Sequence, residues 1–189
     1  MNVTGIILAG GKSSRMGEDK GLMLIEGIPM VEYIINVFKS LNIPILIISN
    51  NEKYQQFGLP VFPDLVHEKG PAGGIMTALS NTKTQTNFIV SCDTPFITKE
   101  LILFLLKKHQ NSQITYPVHE NRAHPLIGVY EKDTDHFFQE SIEVGELKLM
   151  SILKKAKTNR VNLPSSIFLN EKNCLANINT REELNTFKK

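Results

Sequence analysis

The sequence predicts an α/β fold with a mostly parallel sheet, and three observations predict it. Short apolar runs that read as buried strands alternate along the chain with segments whose apolar residues recur at helical spacing. Three of those runs stop abruptly on turn-forming or acidic residues: at Ala9-Gly10-Gly11, at Pro63-Asp64 and at Asp93. At 189 residues, with 41% hydrophobic and 21% charged side chains, the chain has the length and composition of one domain, residues 1–189, able to bury a sizeable core.

Each element follows from its pattern. Residues 4–8 read as the first strand, and a polar, glycine-rich loop follows. Residues 30–41 carry Met30, Ile34, Ile35, Phe38 and Leu41 at helical spacing, with Pro29 at the first turn. Residues 43–48 form an apolar run interrupted only by Pro44, as expected of a strand covered on both faces, and Val61-Phe62 is a short edge strand. Residues 70–74 (Gly-Pro-Ala-Gly-Gly) open a helix expected over 75–79, and 87–92 is a further buried strand. A helix starting at Thr98 or Lys99 carries Leu101, Ile102, Leu105 and Leu106. In the less regular second half, 114–118 and 126–130 read as strands, 133–142 and 146–156 as helices, and 161–163 as a strand. Residues 180–187 form a closing helix, with Thr180 and Glu183 at capping-box spacing.

Bulk properties exclude several functions. A net charge of +2 is too small for a nucleic-acid or membrane surface, and Lys154, Lys155, Lys157 and Arg160 read as a solvated face. Cys92 and Cys174 form neither a disulfide framework nor a metal-ligand spacing, which fits a reducing cytoplasm. No run approaches the ~18 apolar residues that span a bilayer, and no signal-peptide pattern opens the chain.

The chemistry concentrates at the strand ends. Gly10-Gly11 with Lys12, Arg15 and Lys20 offers bare backbone N–H groups and three cations, the means of holding a polyphosphate. Neither standard phosphate loop is present: Ile6 stands where a Walker A loop needs glycine, and there is no G-x-G-x-x-G. Asp93, at the end of a central strand, is suited to hold Mg²⁺, which binds carboxylates together with substrate phosphates. Asp64 ends another strand, and Gly70–Gly74 would let backbone approach a flat base. Cys92 reads as a core residue. His124 carries little weight alone, and Asn177 and Asn179 share one face of an extended segment, where either could supply an oxygen to a metal or a phosphate-bound water.

Leu8-Ala9-Gly10-Gly11, Arg15-Met16-Gly17 and Asp19-Lys20 resemble the signature of nucleotidyltransferases with the nucleotide-diphospho-sugar transferase fold. The later blocks, Asp64, Gly70-Pro71, Cys92-Asp93-Thr94-Pro95, His124-Pro125 and Asn177-Ile178-Asn179-Thr180, keep the order of the molybdenum cofactor guanylyltransferases, the MobA family. The resemblance implies a single-domain, Rossmann-like three-layer sandwich that transfers GMP from GTP to the phosphate of molybdopterin, releasing pyrophosphate. It places Leu8, Ala9, Gly10, Gly11 and Asp64 against the nucleotide, Lys20 and Arg15 on the phosphates, and Mg²⁺ on Asp93, with Asn179 a second metal-side contact. It also implies molybdopterin carriers and molybdoenzymes as protein partners, with no role for nucleic acid or membrane. Where the family commonly reads Gly-Pro-Leu-Ala-Gly, this chain has Ala72 and Gly73 at the middle positions, in the expected base pocket. Two readings compete: a CTP- or UTP-dependent transferase of the same fold, and a non-catalytic nucleotide or cofactor adaptor.

Overall fold

The structure, a computed structural model, describes residues 2–10, 19–168 and 171–186. Gly11, Lys12 and Arg15 of the glycine-rich loop lie outside the described residues. The chain begins with β1 (Val3–Leu8), and a small antiparallel ribbon, β2 (Leu24–Ile25) with β3 (Ile28–Pro29), leads into α1 (Met30–Ser40). Strands β4 (Ile45–Ile48) and β5 (Val61–Phe62) then flank a 3-10 turn over Glu52–Phe57. Helix α2 (Gly70–Asn81), β6 (Thr86–Ser91) and α3 (Lys99–Lys108) complete the first half. The second half contains β7 (Ile114–His119), β8 (Arg122–Ala123), β9 (Ile127–Glu131), α4 (Asp135–Glu143), α5 (Leu149–Leu153), β10 (Thr158–Asn162) and α6 (Arg181–Thr186).

The main sheet runs β10-β7-β9-β6-β1-β4-β5, with β8 paired to β7. Strands β6, β1, β4 and β5 pair in parallel, as do β10 and β7, while β9 runs antiparallel to both of its neighbours. The strand-like apolar runs have the simple cause expected of them. In β1, Val3 and Ile7 enter one core while Ile6 and Leu8 enter the other; in β4 the same split separates Ile45 and Ile47 from Leu46 and Ile48. The first core is closed by Val31, Ile34, Ile35 and Phe38 of α1 and by Leu101, Ile102 and Leu105 of α3. The second is closed by Ile75, Ala78 and Leu79 of α2 and by Phe138 and Ile142 of α4. The result is the three-layer α/β arrangement.

Several boundaries differ from expectation. Helix α2 starts at Gly70 itself, because Pro71 suits a first helical turn and lacks only an N–H that would go unpaired there. The glycines at 73 and 74 are therefore helical rather than part of a loop before the helix. The helix expected over 146–156 shrinks to α5, since Gly145 takes a left-handed φ of 76° and the chain turns before Leu149. The ribbon β2–β3 lies in a segment the periodicity leaves unassigned; Glu26 and Gly27 both have positive φ (50° and 82°), the requirement of a tight two-residue hairpin. Thr98 caps α3 by accepting from the Leu101 amide at 3.2 Å, and Thr180 and Glu183 exchange the reciprocal contacts of a capping box. Lys154, Lys155, Lys157 and Arg160 are exposed, as expected.

The tightest backbone approach in the sheet is at Gly128 of β9, where an added Cβ would stand 2.6 Å from the Thr115 carbonyl oxygen. Backbone cannot swing aside as a flexible side chain can. Gly128→Ala is expected to destabilise the fold by about 1–3 kcal/mol in a urea titration; an unchanged midpoint would show that β7 and β9 can separate without cost.

Candidate functional site

Parallel strands send their carboxyl ends to one edge of the sheet, and the chain leaves β1 in one direction to form β4 and β5 and returns to the other side as β6. Loops that follow neighbouring strands must therefore diverge, and a crevice opens between them. Among the described residues it is a cavity of about 1020 Å³ bounded by the residues that follow each strand: Ala9-Gly10 after β1, Asn50-Asn51 after β4, Asp64 after β5 and Cys92-Asp93 after β6. Leu8, Asp19, Lys20, His67, Leu126 and the start of α2 also line it. Six of the residues picked from the sequence, Leu8, Ala9, Gly10, Lys20, Asp64 and Asp93, thus meet around one space, while Gly11 and Arg15 lie outside the described residues.

One end of the cavity is organised by Asp64. Asn50 Nδ2 donates to Asp64 Oδ2 at 3.2 Å, and the Asp64 amide donates back to Asn50 Oδ1 at 2.9 Å, so each side chain fixes the other. Asp64 Oδ1 is buried and has no hydrogen-bond partner among the described residues. Burial raises the Asp64 carboxyl above its ordinary range, opposed by the Asn50 hydrogen bond and the nearby His67. A half-satisfied carboxylate of this kind is an acceptor held ready for a ligand donor. Asn50 did not emerge from the sequence; its signal was its place directly after a buried strand, the same position that drew attention to Asp93.

The base-pocket expectation needs correction at residues 72 and 73. Gly70, Pro71 and Gly74 line the cavity, whereas Ala72 is fully buried in the α2 core. A Cβ on Gly73 would meet Lys69 Cβ at 2.9 Å and the Val66 carbonyl at 3.3 Å. The departure from Gly-Pro-Leu-Ala-Gly therefore alters how α2 packs rather than what faces the cavity, because a helix starting at Gly70 turns those two positions inward.

At the opposite end stand Asp93 and Lys20. Thr94 bonds the Ser91 carbonyl through both its amide (3.1 Å) and its hydroxyl (2.7 Å), which turns the chain sharply and presents Asp93. Asp93 Oδ1 is the other buried side-chain oxygen without a partner among the described residues. The Asp93 carbonyl accepts the Ile178 amide at 2.8 Å, tying the C-terminal segment to the site. One residue further on, Asn179 Oδ1 accepts from Lys20 Nζ at 2.7 Å, and the Asn179 amide is anchored on Glu183 at 2.6 Å. Asn177 is exposed. The described residues include no group of three or more His, Cys, Asp or Glu side chains able to hold a metal. Any metal at Asp93 would have to take most of its oxygen ligands from a substrate, as Mg²⁺ commonly does.

The residue before Lys20 is itself held by three donors. The Asp19 carboxylate accepts from the Gly21 amide (3.1 Å), from Asn51 Nδ2 (3.0 Å) and from the Tyr54 hydroxyl. The Tyr54 phenol is held protonated chiefly by burial, with the Asp19 carboxylate beside it adding to the effect, which fixes it as the donor. Cys92 is buried and its thiol pushed up, chiefly by burial and then by Asp93 and Asp19, so it is packing rather than nucleophile. Burial, then Arg122 and His119, push the His124 imidazole below its ordinary value; its amide bonds the Pro117 carbonyl at 3.0 Å, and it is not among the residues lining the cavity.

The raised Asp64 carboxyl has a definite sign in stability. Folding favours its protonated form, so its contribution is present below the unfolded value of about 3.9 and is lost as pH rises through the higher folded value. Asp64→Asn removes that loss. The variant is expected to gain stability relative to the parent between about pH 4 and about pH 7, read from urea midpoints at both; a relative loss on that rise would contradict the burial argument.

Comparison with known proteins agrees with this geometry. Residues 5–159 match the family model for the MobA-like NTP transferase domain. A Flavobacterium johnsoniae protein named "Probable molybdenum cofactor guanylyltransferase" is 41% identical over 184 residues, 97% of this chain and 95% of that protein. The molybdenum cofactor guanylyltransferase of Serratia proteamaculans is 33% identical over 186 residues, covering 96% and 91%. Among solved structures, a protein of Aquifex aeolicus VF5 superposes with a TM-score of 0.76 at 29% identity, over 95% of this chain and 94% of that one. Molybdopterin-guanine dinucleotide biosynthesis protein A from Archaeoglobus fulgidus superposes with a TM-score of 0.81 at 21% identity, over 97% and 95%, a likeness of fold. The architecture is that of the nucleotide-diphospho-sugar transferases. With its motif blocks in order along the strand ends and the model matched over most of its length, the chain belongs to the MobA-like NTP transferase family.

Proposed function

We propose that this protein transfers GMP from GTP to the phosphate of molybdopterin, forming the molybdopterin guanine dinucleotide and releasing pyrophosphate. The observation that carries the reading is a cavity with a buried carboxylate oxygen at each end, Asp64 Oδ1 and Asp93 Oδ1, that has no partner among the described residues. Guanine presents adjacent N–H donors on one edge, and Asp64, held by Asn50, offers acceptors for them. Backbone from Leu8 to Gly10, free of a side chain at Gly10, runs along the nucleotide between the two ends. Arg15 and Gly11, outside the described residues, belong on the triphosphate in this reading.

Nucleotidyl transfer asks little covalent chemistry of the protein. An acceptor phosphate oxygen attacks the α-phosphorus of GTP, a new P–O bond forms, and the bond to pyrophosphate breaks, its electron pair leaving with that group. The acceptor is already ionised at neutral pH and needs no general base. This accords with a site whose cysteine, Cys92, is buried. The work of the side chains is alignment and charge neutralisation. Lys20, steered by Asn179, meets the negative charge that builds toward pyrophosphate. A divalent metal belongs to the chemistry of this family. In our reading it is Mg²⁺, held by Asp93, whose free buried oxygen fits a hard cation, and it supplies charge neutralisation on the phosphates. None of the described helices is long and apolar enough to cross a membrane. We place the protein in the cytoplasm, receiving molybdopterin from carriers and passing product to molybdoenzymes.

The decisive experiment is pyrophosphate release from GTP, CTP and UTP in the presence of molybdopterin and Mg²⁺. Release with GTP is expected. Preference for CTP would overturn the guanylyl assignment, and GTP binding with no release from any nucleotide would make the protein an adaptor. Asp93→Ala is expected to lower turnover at least about a hundredfold with unchanged circular dichroism; near-normal turnover would remove Asp93 from the site. Lys20→Ala is expected to lower kcat/KM for GTP at least about tenfold, and unchanged kinetics would remove Lys20.

A further inference from the structure

We infer that Tyr54 and Asn51 are positioning residues: they latch Asp19, and through it hold Lys20 in the cavity. The inference rests on the reading of Lys20 as a phosphate-side residue. A lysine on a flexible stem is a poor fixed charge, and its ammonium must be steered from the backbone outward. Asp19 immediately precedes Lys20 and caps the short turn Lys20–Leu22 by accepting from the Gly21 amide. Its remaining acceptor capacity is taken up from a different part of the chain, with Asn51 on Oδ2 and the Tyr54 hydroxyl sharing Oδ1.

Both donors come from a rigid support. Asn51 caps the 3-10 turn Glu52–Phe57 by accepting from the Lys53 amide at 3.1 Å, and its own amide donates to Ser49 Oγ at 3.1 Å. Tyr54 is fully buried, and its ring packs beside Phe57. Gly21 fits the same scheme, for an added Cβ would collide with the Tyr54 hydroxyl and stand 3.1 Å from Cys92 Cβ.

The latch does two things at once. It fixes the backbone from which Lys20 reaches Asn179, and it keeps the Asp19 carboxylate occupied with protein donors rather than turned toward a polyphosphate it would repel. It also joins the two ends of the site. Asn50 and Asn51 are adjacent, Asn50 holding Asp64 and Asn51 holding Asp19, so the residues just after β4 connect the base end to the phosphate end.

Two conservative variants test this. Tyr54→Phe keeps the buried ring and removes only the donor. Asn51→Ser keeps a capping hydroxyl but is too short to reach Asp19. Amide hydrogen exchange over residues 19–23 is expected to speed up in both. In a Lys20 background each is expected to lower kcat/KM for GTP about tenfold; in a Lys20→Ala background each should change it by less than about twofold, because the effect runs through Lys20. Unchanged exchange at 19–23, or an equal fold-loss in both backgrounds, overturns the latch. Should the parent release no pyrophosphate with any nucleotide, the proposed function fails, and exchange alone then decides the latch: faster exchange upholds it and unchanged exchange overturns it.

Discussion

The arrangement on which the rest of the molecule depends is the reversal of strand order at β1. With β4 on one side and β6 on the other, all three parallel, the loops that leave their carboxyl ends have nowhere to go but apart. The crevice that results is a consequence of topology before it is a consequence of any side chain. The two cores on either face of the sheet make it rigid, since β1, β4 and β6 are each locked by alternate residues into both. A site built on such strand ends can hold groups at fixed separations, which a reaction depending on alignment requires.

Against that frame of low polarity, the carboxylates are the costly features. A buried acid oxygen without a partner lowers stability, and among the described residues there are two, one at each end of the same cavity. Asp64 is partly compensated by Asn50, and the raised carboxyl shows that the compensation is incomplete. Such unbalanced groups are expected where a ligand completes the set, and proteins keep them at functional sites for that reason. Asp19 is the instructive contrast: another acid lining the same cavity, but one bonded to three protein donors.

The C-terminal segment adds a long-range element. Ile178 bonds the Asp93 backbone and Asn179 meets Lys20, although these partners lie far away in sequence. The capping box at Thr180 and Glu183 fixes where that segment ends, so a local helix-start signal helps set the geometry around Lys20 and Asp93.

The amino-acid sequence alone determined the α/β class and that apolar runs stop just before Ala9, Asp64 and Asp93, because these follow from local periodicity and from where apolar runs end. It also determined the capping box at Thr180 and Glu183, which depends on residues three apart, whereas the helix start it left between Thr98 and Lys99 was settled by the Thr98 cap. Only the tertiary structure decided that Asn50 would hold Asp64, that Tyr54 would reach Asp19, and that Asn179 would meet Lys20. Those partners are separated by 14, 35 and 159 positions, and no local pattern records a contact made by strand order. The same reason explains the correction at Ala72 and Gly73: composition marks a glycine-rich stretch as a loop, but the chain is helical from Gly70, which turns Ala72 into the core and Gly73 against Lys69 and the Val66 carbonyl.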